Sequence, residues 1–127
     1  MHRRASTAPS RAAFLASAAL VASLHAVPAR AQADADQALA LLRTASAQAA
    51  IITFCPKHYA IDGTTALRIS QTTRDVAAKV LGRARADAAF KDELARRFDE
   101  VKAVGEQQWC AEQRDELADV GAGIFKD

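Results

Sequence analysis

Cys55 and Cys110 are the two cysteines of the chain, and what they do decides how the segments between them can be arranged. Cys55 lies in Ile52-Thr-Phe-Cys-Pro-Lys-His-Tyr-Ala60, three residues before His58. Haem attachment needs C-x-x-C-H, with a thiol for each of two vinyl groups, and this stretch offers one thiol. A nucleophilic cysteine needs a base that is itself held by a third group. His58 is the only histidine after residue 33, no orienting residue accompanies it, and Cys55 falls at a predicted helix C-terminus, where no dipole lowers a thiol pKa. Two readings stand. One is a Cys55–Cys110 disulfide. The other is a metal site of Cys55, His58 and Cys110, two soft sulfurs and an imidazole suited to zinc or cuprous copper, with Asp62 or Glu106 as a fourth ligand.

The choice between them depends on compartment, which the first segment addresses. Arg3, Arg4 and Arg11 give a positive start without an acid, and Ala12 to Ala29 carries no charged residue. The segment ends in Ala29-Arg30-Ala31-Gln32-Ala33, which offers small-x-small cleavage sites before Gln32 and before Asp34. This is the pattern of a secretory signal peptide, assigned to residues 1–33, with a single domain over 34–127. The uncharged run just reaches the ~18 residues of a membrane span. Its Ala and Ser content, His25 and the cleavage motif favour removal over anchoring. In an oxidising compartment free thiols pair, so the disulfide is the preferred reading. The absence of Asn, with the Ala and Arg bias, points to a GC-rich bacterium and a periplasmic or secreted product.

Composition then excludes several classes. Four of the seventeen Lys and Arg residues (Arg3, Arg4, Arg11, Arg30) lie in the leader, which leaves thirteen against fifteen acids, a net charge of −2. Neither a charge excess nor a basic stripe is present, so nucleic acid and anionic membrane are not expected partners. Residues 34–127 contain 20 Ala but only 23 of Val, Ile, Leu, Phe, Tyr and Trp together. Alanine favours helix without filling volume, and so small and thin a core is marginal without a crosslink.

Periodicity predicts an all-α fold, a small antiparallel bundle of three helices. The first spans Asp36 to about Phe54 with Leu41, Leu42, Ala45, Ala49 and Ile52 on one face, and Pro56 stops it. The second spans about Thr65 to Leu81, capped by Asp62 or Thr64, with Ile69, Thr73, Val76 and Val80 facing inward. The third starts near Arg85 to Asp87 with a stripe of Phe90, Leu94, Phe98 and Val101, and Asp92–Arg96 and Glu93–Arg97 as solvent-side ion pairs. After Gly105 the stripe moves to Trp109, Gln113, Leu117, Val120 and Ile124, rotated by roughly 130° at ~100° per residue. One long bent helix is favoured over a fourth helix, since a helix-to-helix turn ordinarily takes two or more residues. A climb and an equal descent of ~25 Å at 1.5 Å per residue bring Cys110 back to the level of Cys55. Tyr59 and Ile61 are then expected over Trp109 and Leu117.

No G-x-S-x-G, phosphate-binding glycine loop or H-E-x-x-H occurs, so the chain is read as non-enzymatic and without a cofactor. The expected role is non-catalytic binding or protein interaction in the envelope, chaperone-like or inhibitory. The alternatives are metal binding or trafficking through Cys55, His58 and Cys110, and a stabilising accessory subunit of an envelope complex. Trp109, Ile124 and Phe125 are the candidate interaction residues. In Val120-Gly-Ala-Gly-Ile-Phe125 two glycines precede two large apolar residues, which either insert into a partner or pack back near Trp109.

Overall fold

Alanine-rich sequence starts the first helix earlier than Asp36. A-R-A-Q-A-D-A-D is composed largely of strong helix formers, and α1 runs Ala29–Phe54 behind Pro28. The computed structural model describes residues 28–120 and 123–126. Most of the expected leader, residues 1–27, lies outside them. The expected cleavage motif at Ala29–Ala33 forms the exposed first turns of α1, and the first buried residue among those described is Ala38. Three further helices follow among the described residues: α2 (Gly63–Leu81), α3 (Arg83–Val104) and α4 (Glu106–Val120). None of the four is long and apolar enough to cross a membrane.

Antiparallel packing of α1 on α2 is the main contact of the bundle. Ser70 Oγ donates to the Ala45 carbonyl at 3.0 Å across it. The face of α2 that makes this approach is Ala66, Ser70 and Ala77; of the expected Ile69, Thr73, Val76 and Val80, Ile69 packs against the lower core and Thr73 is half-buried, but the two valines turn outward. Val76 and Val80 are 43% and 49% exposed. Small side chains let the two backbones close up, and that close approach outweighs the burial of two valines. Asp62 caps α2 by accepting from the Thr65 amide at 3.0 Å and from its hydroxyl at 2.8 Å. The Thr65 amide bond is the main cause of an Asp62 pKa below its ordinary value.

The favoured single bent helix is corrected at Gly105, where the chain breaks into α3 and α4. Gly105 has φ 90° and ψ 148°, and Gly82, between α2 and α3, repeats it with φ 82° and ψ 150°. This region is open almost only to glycine. One such residue redirects a helical chain, so neither junction needs a longer loop. The break also accounts for the rotated stripe, because α4 is free to address different neighbours. Downstream of each glycine the amide ladder restarts at once, with Trp109 N–H on the Gly105 carbonyl at 3.0 Å.

The expected solvent-side pairs of α3 are also re-drawn. Glu93 is only 13% exposed at its side chain and faces Arg43 of α1 and Arg96, each at 3.7 Å. Arg97 instead grips Glu100, with Nη1 at 2.9 Å from both carboxylate oxygens. The partners are thus three residues apart along α3 or on another helix, because α1 packs on the face that helical spacing assigned to solvent.

The core is uneven. Its upper part is alanine with Leu42 and Phe90. Its lower part gathers Ile51, Val101, Trp109 and Ile124 around the sulfur pair, with Phe54 edge-on to Phe98 at 5.2 Å. Cys55 and Cys110 are bonded, with Cα atoms 5.5 Å apart and no exposure.

Two outcomes follow. Urea denaturation of Cys110→Ser should show a loss of about 2–5 kcal/mol against the oxidised parent, and a loss below about 1 kcal/mol would mean that packing alone holds α4. Gly105→Ala should cost about 1–3 kcal/mol through backbone strain. No atom lies within 4 Å of the added Cβ, so an unchanged midpoint would contradict the role given to this φ.

Candidate functional site

The sulfurs and His58 were the first candidates from sequence, and the structure separates them. Both sulfurs lie inside the S–S bond, so the set Cys55, His58 and Cys110 contains no thiolate here. His58 stands at the surface, with Nε2 3.4 Å from Glu106 Oε2, and Lys57 Nζ reaches the same oxygen at 2.8 Å. The Lys57 hydrogen bond is the main cause that holds the Glu106 carboxyl below its ordinary value, with His58 adding to it. Pro56 ends α1 just before this group, and Gly105 places Glu106 at the start of α4. No cluster of three or more His, Cys, Asp or Glu suited to a metal ion occurs among the described residues.

The tail residues lie within the molecule's own lower end. Ile124 is 1% exposed and belongs to the same cluster as Trp109. Its carbonyl accepts from Asp62 N–H at 2.8 Å, and Lys126 N–H donates to the Ala60 carbonyl at 3.0 Å. Phe125 meets Tyr59 edge-on at 5.7 Å, and Arg114 lies over the Tyr59 ring at 4.8 Å. The segment therefore acts as a short strap across the 55–62 loop, with Ile61 opposite Phe125 in a single antiparallel bridge.

A different set of residues forms a recess. After the Gly105 turn, α4 touches α1 and α3 only sparsely, and the wedge between the three helices has a volume of about 540 Å³. Ala47, Ala103, Val104 and Leu117 supply its apolar walls. Its floor is polar. Gln48 is 2% exposed and Gln113 9%, and both line the wedge with Arg97, Glu100 and Trp109. Trp109 Nε1–H donates to Glu100 Oε2 at 3.3 Å, so Glu100 receives both the indole and the Arg97 guanidinium. Arg43, Glu112 and Glu116 line the same recess, so its charged residues are two cations and three anions. Two buried atoms at this recess, Gln48 Oε1 and Arg97 Nε, have no hydrogen-bond partner in the protein. A buried polar group left unpaired ordinarily costs about 1–3 kcal/mol.

Of the sequence candidates, the recess takes in Trp109 alone. Gln48, Arg97, Glu100 and Gln113 were not singled out for function. One signal was present: Gln113 interrupts the apolar stripe Trp109, Leu117, Val120, Ile124. Gln48 gave a second, as an amide inside the otherwise small and apolar run Ala45-Ser-Ala-Gln-Ala-Ala-Ile51.

Comparison with known proteins returns no match to any family model, curated protein or solved structure.

The unpaired amide has a measurable consequence. Gln48→Leu keeps the volume roughly constant and removes a buried acceptor without a partner. It should raise unfolding free energy by about 1–3 kcal/mol, read as a higher thermal midpoint. A destabilised variant would mean that the Gln48 amide is satisfied and structural.

Proposed function

We propose that this protein is exported and acts outside the cytoplasm as a non-catalytic binding protein, with the recess between α1, α3 and α4 as its binding site. The recess is the observation that carries the reading. It is a concave site lined by five apolar residues and eight polar or charged ones, and its volume lies within the range of ~300–1,000 Å³ of ligand sites. The rigid lower core and the covalent bond beside it hold the walls in place, which favours binding by a preformed site.

Export is supported by the leader pattern over residues 1–33 and by the formed disulfide, a bond that persists in oxidising compartments. The non-catalytic reading rests on the sequence, which carries no G-x-S-x-G, phosphate-binding glycine loop or H-E-x-x-H. A chaperone-like or inhibitory role fits a site of this kind, in which a segment or small molecule is held and released unchanged.

Expression of the full chain in a bacterium with an outer membrane tests the export step. The expected product is periplasmic, begins at Gln32 or Asp34, and has an intact mass ~2 Da below that of the reduced form, for the two thiol hydrogens lost. Cytoplasmic retention of the uncleaved chain with two reactive thiols would overturn the proposal.

A further inference from the structure

We infer that the strap of residues 123–126 seals the Cys55–Cys110 bond, so that thiol–disulfide exchange at this bond takes place only while the strap is undocked. Exchange requires a thiolate to reach one of the two sulfurs. Cys55 and Cys110 both have no exposure, so part of the molecule must open first. The buried cluster that holds them has two kinds of member. Ile51, Ala66 and Val101 belong to α1, α2 and α3, continuous helices of 26, 19 and 22 residues that pack on one another. Ile124 belongs to the strap and is 1% exposed. Tyr59 and Ile61 of the loop and Phe125 of the strap pack against the same cluster.

The strap is the member that opens at least cost. It is tied to the loop by the Asp62 N–H on the Ile124 carbonyl at 2.8 Å and the Lys126 N–H on the Ala60 carbonyl at 3.0 Å, and Phe125 adds its edge-on contact with Tyr59. Short segments with few hydrogen bonds open locally, at a free energy below that of global unfolding. Undocking withdraws Ile124 from the cluster and releases the loop that begins at Cys55. Gly123 leads into the strap with φ 65°, a conformation that strains any residue with a Cβ. In the exchange with dithiothreitol, a reagent thiolate attacks one protein sulfur, and the S–S bond breaks with its electron pair leaving on the other sulfur. The reagent's second thiolate then resolves the mixed disulfide. Dithiothreitol is oxidised to its cyclic disulfide, and the two cysteines are reduced and take up the two protons the reagent gives up. A disulfide oxidant runs these steps in reverse, so it also acts before the strap docks.

The rate of reduction of the oxidised full chain by dithiothreitol reads the opening, with free thiols trapped by iodoacetamide and counted by intact mass. Below the unfolding transition the rate in the parent protein should rise with urea at less than about half the slope of global unfolding, because a small opening exposes little surface. A slope equal to the global one would mean that the whole bundle unfolds before the bond is reached, and would overturn the seal. This measurement needs no variant to fold. Ile124→Ala removes the buried side chain of the strap and should speed reduction about tenfold or more. Gly123→Ala leaves every packed side chain in place, with no atom within 4 Å of the added Cβ, and its backbone strain should speed reduction about fivefold or more. Leu42→Ala lies in the separate upper cluster; it should lower the urea midpoint yet change the reduction rate by less than about twofold, since it acts on global unfolding and not on the strap. Acceleration by Leu42→Ala equal to that of the strap variants, or none in either strap variant, would overturn the inference.

Discussion

A single covalent bond fixes the position of α4. That helix leaves the bundle at Gly105 and meets α1 and α3 over little surface, yet Cys110 in its second turn is joined to the residue that ends α1. The bond closes a loop with a sequence separation of 55 residues, and loop closure of that length removes much of the freedom of the unfolded chain. Everything distinctive about the lower end depends on it. Trp109 is held against Glu100, Leu117 joins the loop residues Tyr59 and Ile61, and Ile124 closes the cluster from below. Without that anchor an alanine-rich bundle has few large side chains with which to hold a fourth helix.

The same bond explains how the recess exists in so small a protein. A helix packed along its full length would fill the wedge with its own side chains. A helix pinned near its start and tied down beyond its end by the strap at Gly123–Lys126 leaves a gap along its middle. The gap is floored by amides and by the Arg97–Glu100 pair, and unpaired buried atoms persist there. In a core with so little volume to spare, retaining such atoms opposes stability.

The all-helical class and the bonded cysteines were legible because both depend on features local in sequence: alanine content, stripe spacing, and the rise per residue that returns Cys110 to the level of Cys55. The four-helix count was not, because it turned on one residue. Gly105 was recognised as the point where the stripe rotates, but a turn made by a single glycine in a positive-φ conformation has no signature apart from that glycine. Gly82 is its twin and was readable as a helix stop, since glycine is the usual residue just past a helix C-terminus. The inner face of α2 was misread for a different reason. Hydrophobicity marks Val76 and Val80, whereas close helix approach selects Ala66, Ser70 and Ala77, and a scale that rewards large side chains does not register a surface chosen for being small. The recess stayed hidden because it joins residues of three helices whose relation is set by the glycine turn and the crosslink, so Gln48 and Gln113 were seen only as polar interruptions.

The exposed start of α1 has one more consequence. From Ala29 to Asp34 every residue faces solvent, and the first side chain enclosed by the bundle is Ala38. A peptidase that trims the chain anywhere upstream of that alanine shortens an overhanging spiral and disturbs no packed layer. Loss of those residues at one position or at several would leave the folded body equally intact.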